Sequence, residues 1–217
     1  MTDAGKFITL EGGEGAGKST QVKALATHLQ SLGIDVVLTR EIGGSPGAEA
    51  IRQLWLEKGH GYWDALTELL LVTAARREHL VKTIWPALER GAWVISDRFA
   101  DSTRVYQAIG LNLGIGIVDH FYEQIAEDFE PHLTLLLDLP VEVGLGRMTA
   151  RGGQDDRYQQ QKIEFHQQLR DGYLALVNEN AGRFRVIDAS TDSAAVTTSI
   201  VNTVDAFFDL RQRHAAS

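Results

Sequence analysis

The sequence has no cysteine among its 217 residues, so disulfides and thiolate metal sites are excluded and a reducing compartment is compatible. It has only four prolines, and none of them cluster, which excludes a proline-rich linker. No apolar stretch approaches about 18 residues, so a membrane-spanning helix is not expected. Basic residues are in deficit: 21 Lys and Arg against 29 Asp and Glu give a formal charge of −8. A general binder of nucleic acid or of an anionic membrane needs a basic face. Neither partner is expected, whereas a small anion needs only a few local arginines. The start, Met1-Thr2-Asp3-Ala4-Gly5-Lys6, lacks the basic-then-apolar layout of a signal peptide, and a cytoplasmic protein is expected. Internal repeats, heptads and low-complexity tracts are absent, and the seven histidines show no metal-ligand spacing.

What is present suits one α/β domain over residues 1–217: 44% apolar and 23% charged residues are ordinary for a globular chain. Strand-like runs at Phe7–Leu10, Val36–Thr39, Trp93–Ile95, Leu133–Leu137 and Phe184–Ile187 alternate with helix-like stretches. Those stretches lie near 18–31, 46–57, 62–90, 115–128, 141–150, 160–179 and 192–213. The alternation predicts a five-stranded parallel sheet covered by helices on both faces, a three-layer sandwich. Pro86 predicts a kink or break inside the third helical stretch. The polar, glycine-containing stretch near 150–160 predicts a mobile insert.

Gly12-Gly13-Glu14-Gly15-Ala16-Gly17-Lys18-Ser19 matches the phosphate-cradling pattern G-x-x-x-x-G-K-[ST]. An apolar run precedes it, and a helix-compatible stretch from Thr20 follows. Turned-in backbone N–H groups and a helix N-terminus hold a polyphosphate together. Lys18 supplies a mobile charge for the β/γ phosphates, and the Ser19 hydroxyl suits Mg²⁺.

Further candidates cluster at predicted strand ends. Asp97 closes an apolar strand at the edge where open α/β sheets bind ligands. There it can steer Mg²⁺ or its waters, or accept a proton from an attacking oxygen. Arg98 and Arg40 each offer a planar fork that suits one shared phosphate, and each alone also reads as a solvated surface charge. Arg147 and Arg151 share a helix face by spacing, and Arg157 lies beyond a glycine bend; a closing lid of arginines and a solvated basic face both fit them. Val72 and Arg76 stand one helical turn apart and can address one ligand. Ser102, Thr103, Tyr106 and Gln107 follow the Asp97-Arg98 edge as plausible nucleoside contacts or as a polar helix start. From these residues three classes stay open: a nucleoside-monophosphate kinase, a kinase of a nucleoside or other small hydroxyl compound, and a nucleotide-dependent switch or binder.

Taken in order, the motifs resemble thymidylate kinases of the bacterial type, a P-loop nucleoside-monophosphate kinase family. They run from Leu10-Glu11-Gly12 to Gln21, through Leu38-Thr39-Arg40-Glu41 with Gly43-Gly44, Ala74-Ala75-Arg76 and Asp97-Arg98-Phe99 with Ser102 and Tyr106-Gln107. Leu133–Asp138 and Ala150-Arg151-Gly152 with Asp156-Arg157 complete the series. The resemblance implies transfer of the ATP γ-phosphoryl group to dTMP, giving dTDP and ADP, with Mg²⁺ as cofactor and a homodimer as the assembly. It implies an ATP loop of Gly12, Gly13, Glu14, Gly15, Ala16, Gly17, Lys18, Ser19 and Thr20, with Arg147 also on the ATP side. Glu14 would approach the deoxyribose 3′-OH and share the magnesium shell with Ser19 and Asp97. Arg40 and Arg98 would hold the acceptor phosphate, while Arg76, Ser102 and Thr103 would address thymine. Tyr106, with Gln107 beside it, would pack under the sugar. Gly15 occupies the place where one branch of the family carries an arginine, so the catalytic arginines would be Arg151 and Arg157 in the lid. Three positions depart from the family pattern: Ile42 replaces a proline, Val72 replaces a phenylalanine that stacks on the base, and Ala108-Ile109-Gly110 replaces a glycine-rich stretch.

Overall fold

The structure, a computed structural model, describes residues 4–57, 61–150, 158 and 161–210. Five strands form one parallel sheet: β1 (Phe7–Glu11), β2 (Val36–Arg40), β3 (Trp93–Asp97), β4 (Leu133–Asp138) and β5 (Phe184–Asp188), in the order β2-β3-β1-β4-β5. Each predicted strand is present, one or two residues longer at its carboxyl end. The extension matters, because the added residues Glu11, Arg40, Asp97 and Asp138 are polar. An apolar-run criterion stops short of them although the backbone ladder continues. The register sets Leu10 and Arg40 on either side of Asp97, so one sheet edge collects the charged residues.

Helices α1 (Lys18–Ser31), α2 (Pro46–Glu57), α3 (Ala65–His79), α4 (Trp85–Glu89), α5 (Ala100–Thr103), α6 (Ile115–Ala126), α7 (Val141–Ala150), α8 (Ile163–Glu179) and α9 (Ser193–Phe207) surround the sheet. Ile8 and Leu10 point to the face covered by α1 and α9, where Leu25, Leu29, Ile200 and Val204 complete the core. Phe7 points to the opposite face, against Leu80, Ile84, Phe99 and Tyr122. The period of two sends Thr9 and Glu11 to the same face as Phe7. Thr9 hydrogen-bonds Thr134 there at 2.9 Å.

The predicted 62–90 helix divides where Pro86 requires it. Proline has no N–H to donate to a carbonyl four residues back. Leu80–Ile84 widens into a π-helix, and the Trp85 N–H reaches the carbonyl five residues back, on Leu80. The start moves to Ala65 because the Asp64 carboxylate accepts from the N–H groups of Leu66 and Thr67. The 192–213 stretch ends its helix at Phe207, and 115–128 ends at Ala126, before Glu127 at φ +55°. The segment after α5 forms a second π-helix, Arg104–Gly110. Here Ala108 is buried, and the Ile109 side chain packs against Gly172 of α8, where an added Cβ would make it shift. The predicted insert, with Arg151 and Arg157, lies outside the described residues apart from Ala150 and Tyr158.

Candidate active site

The loop between β1 and α1 has the backbone that the glycines allow. Gly17, at φ +86°, caps α1, and no described side chain caps that helix and no acid lies in its first turn. The partial positive charge of the helix end is therefore uncompensated. Gly15, at φ +70°, lies so close to the Gly144 backbone of α7 that a side chain there would collide. This pins α7 against the loop. Lys18 is buried, and its Nζ donates to the carbonyls of Gly12 (3.0 Å) and Gly13 (2.9 Å). Burial, and then the nearby Arg98 charge, push its pKa below the usual lysine value. A polyphosphate arriving on the loop would relieve both. Ser19 and Thr20 are exposed on the first turn of α1.

A cleft of about 310 Å³ opens beside this loop, and residues 14–19 form one of its walls. The cleft is also lined by Arg40, Arg76, Asp97, Arg98, Ser102, Thr103, Tyr106 and Gln107, as well as Val72. Sequence positions as far apart as 14 and 107 thus meet in one space. Arg98 has φ +69°, a left-handed backbone that is uncommon for a non-glycine residue. Its Nη1 donates to the Gly12 carbonyl, Ser102 Oγ and the Tyr173 hydroxyl at 3.0–3.2 Å. Its Nη2 donates to Glu14 Oε1 at 2.8 Å and to the Tyr106 hydroxyl at 3.2 Å. Burial alone would lower the Arg98 pKa, but Tyr106 and Glu14 hold it above the ordinary value. Arg40, more exposed, pairs with Glu49 at 3.0 Å. Both forks therefore rest on carboxylates that an incoming anion can displace.

Arg76 is fixed more tightly. Its Nε donates to Glu41 Oε2 at 2.7 Å, and its Nη2 donates to Thr103 Oγ1 at 2.8 Å. The other Glu41 oxygen meets His79 Nδ1 at 2.9 Å, and His79 Nε2 lies 2.6 Å from Thr39 Oγ1. Burial would raise the Glu41 pKa, but Arg76 and His79 outweigh it and hold the carboxyl below the usual range. The peptide between Glu41 and Ile42 is cis. Neither Glu41 nor His79 was assigned a role from the sequence, because their partners are 35 to 40 residues distant.

Val72 lines the cleft, and two aromatic residues unassigned in the sequence stand with it: Trp55 from α2 and Tyr158 from the predicted insert. The Tyr158 ring lies 5.0 Å from Tyr106 and 5.7 Å from Phe165, and its hydroxyl donates to Glu68 at 2.5 Å. Gln107 Nε2 donates to the same Glu68 oxygen at 2.9 Å. Arg147 is not among the residues lining this cleft. Its guanidinium donates to the carbonyls of Ala189, Ser190 and Thr191 at 2.7–3.0 Å, tying α7 to the turn after β5.

Glu11, the last residue of β1, is fully buried. Its carboxylate accepts from the Phe99 N–H (2.7 Å), Ser102 Oγ (2.6 Å) and the Tyr173 hydroxyl (3.2 Å). Burial, and then the Asp101 charge, push its pKa up to about 7. A carboxyl raised in the folded state adds stability below its unfolded pKa and loses it as pH rises through the folded value. The Glu11→Gln variant should therefore gain stability relative to the parent between pH 5 and 8, by about 2–3 kcal/mol at roughly 1.4 kcal/mol per pKa unit. Urea melts of both proteins at the two pH values test this, and an unchanged difference would refute it.

The thymidylate kinase family model matches residues 10–200 of this chain. The chain is 49% identical over 200 residues to the thymidylate kinase of Caulobacter vibrioides, covering 92% of this chain and 96% of that one. It is 48% identical over 204 residues to that of Ruegeria pomeroyi, covering 94% and 96%. The crystal structure of thymidylate kinase from Ehrlichia chaffeensis superposes with a TM-score of 0.77 at 33% identity, over 93% of this chain and 99% of that one. The chain belongs to the thymidylate kinase family.

Proposed function

We propose that this chain is a kinase that transfers the γ-phosphoryl group of ATP to dTMP, giving dTDP and ADP in the supply of dTTP. Family membership supports the reaction, and one observation carries it in the site. Arg40 and Arg98 stand at adjacent strand ends, facing the same cleft as the glycine loop. A kinase of unphosphorylated nucleosides has no need of that second cationic grip.

In this reading Gly12–Thr20 receive the donor phosphates, and Lys18 leaves the loop carbonyls to neutralise them. Arg98 gives up Glu14 to take the acceptor phosphate, with Arg40 beside it. Arg76, held by Glu41, addresses the base with Ser102 and Thr103, while Tyr106 and Gln107 pack on the nucleoside side. Positioning and charge neutralisation supply most of the rate in such transfers. Ser19, Asp97 and Glu14 are hard oxygen donors that line the cleft and fit Mg²⁺, which also takes substrate phosphates as ligands. When bound, that ion supplies charge neutralisation across the donor phosphates. Arg151 and Arg157 would add catalytic charge from a lid near 150–160, and Arg147 would brace the loop on the ATP side.

We further propose one kinase unit over 1–217, working in the cytoplasm as a homodimer. No described helix is long and apolar enough to cross a membrane. Leu66 and Leu70 on α3 and Ile115 and Ile117 on α6 are exposed, on helices that pack together, and would suit a second copy. The test of the reaction is ADP release from ATP and Mg²⁺ with a panel of monophosphates and nucleosides. Release that depends on dTMP is expected; a preference for thymidine, or no acceptor dependence, would overturn the assignment.

A further inference from the structure

Arg98 Nη1 points into a partly buried set of oxygens. Two of its three acceptors there are hydroxyls, Ser102 Oγ at 3.2 Å and Tyr173 at 3.1 Å. A hydroxyl faces an arginine with a lone pair only when its own proton points elsewhere. Both protons have one acceptor within reach, Oε2 of Glu11. We propose that Glu11 is a positioning residue for the arginine that grips the acceptor phosphate: its carboxylate takes the protons of Ser102 and Tyr173, and this leaves both hydroxyl oxygens facing Arg98. The inference rests on the assignment of Arg98 to that phosphate.

The geometry makes the arrangement directional. Glu11 Oε1 is fixed by the Phe99 N–H, one residue beyond Arg98, so the carboxylate also anchors the backbone that carries the arginine. Ser102 and Tyr173 lie 2.9 Å apart, so one hydroxyl can also donate to the other, and Glu11 then takes the remaining proton. An acceptor-only carboxylate takes whichever hydroxyl proton faces it, whereas a protonated or amidated one brings a donor of its own into the set. The charged and titratable groups facing Glu11 are Asp101 on α5, Arg98 beyond β3, Tyr173 on α8 and Lys18 on α1. Asp101 is itself engaged by Arg183 and Arg104, which leaves Arg98 and Lys18 as the cations that answer the Glu11 charge.

The test is calorimetric titration of dTMP into the parent, Glu11→Gln, Tyr173→Phe, Ser102→Ala/Tyr173→Phe and Arg98→Ala proteins. It is run with a chelator and without ATP, so that no metal enters, between about pH 6 and 9. The Glu11→Gln variant is expected to bind dTMP about tenfold more weakly at the alkaline end, the value of one charge-assisted hydrogen bond. The ratio should shrink toward one at the acid end, where the parent carboxyl carries its own proton. Titration of the dTMP phosphate occurs in every sample and cancels in the ratio. A ratio near one throughout, or one that does not change with pH, overturns the positioning role. Should Glu11→Gln fail to fold, the Tyr173→Phe and double variants decide. A graded loss of dTMP affinity supports the proposal, and parental affinity in the double variant overturns it. If Arg98→Ala binds dTMP like the parent, the phosphate assignment itself fails; if Arg98→Ala is weakened and the others are not, only the role of Glu11 falls.

Discussion

Replacing Lys18 by alanine is expected to lower kcat by about 10²–10³-fold, the usual cost of removing one preorganised group from a developing negative charge. The fold should survive. Lys18 is a buried cation whose pKa burial depresses, so truncation removes a desolvated charge together with its two hydrogen bonds to Gly12 and Gly13. These opposed contributions leave a small net change, and the melting temperature should stay within a few degrees. Single-turnover kinetics with saturating dTMP are the measurement that counts. They report the chemical step, and the ammonium is worth most there, because charge gathers on the phosphoryl oxygens as the bond to ADP loosens. A parental single-turnover rate would remove Lys18 from the mechanism.

The parts of the site that the sequence displays are those set by local chemistry. The glycine loop declares its backbone through spacing, and Asp97-Arg98 declares a strand end because a carboxylate interrupts an apolar run. The interactions that hold these residues are a different matter. Glu41 meets Arg76 and His79 across 35 and 38 positions, and Glu11 meets Phe99 and Tyr173 across 88 and 162. Only the packed sheet order brings them together, and no periodicity records it. Trp55 reads in the sequence as one more apolar residue of an amphipathic helix. Only the substitution of valine for an aromatic residue at position 72 hints that the cleft needs another wall. Glu11 did offer a signal, a carboxylate closing the strand Phe7–Glu11 whose other residues are buried. The resemblance used it as a motif letter without asking what compensates its burial.

The Arg98→Ala exchange should weaken kcat/KM for dTMP by about 10²–10³-fold while the KM for ATP stays within about threefold, since losing one partner of a buried charge pair costs about 2–5 kcal/mol. The size follows from how many contacts converge on one guanidinium: five described oxygens, from Gly12, Glu14, Ser102, Tyr106 and Tyr173. Removing it deprives the acceptor phosphate of its cationic partner and also leaves Glu14 facing the cleft with less to neutralise it. A carboxylate left in that position repels the incoming dianion, so the loss should exceed that of a missing hydrogen bond. Lysine should recover little. A point charge on a flexible stem cannot reach the buried hydroxyls with one nitrogen and the phosphate with another. The pair Arg98→Ala and Glu14→Gln/Arg98→Ala separates the two effects. If repulsion contributes, the double variant binds dTMP more tightly than the single one; if the two bind alike, the loss is that of the fork alone. Unaltered dTMP kinetics in Arg98→Ala would place the acceptor phosphate elsewhere.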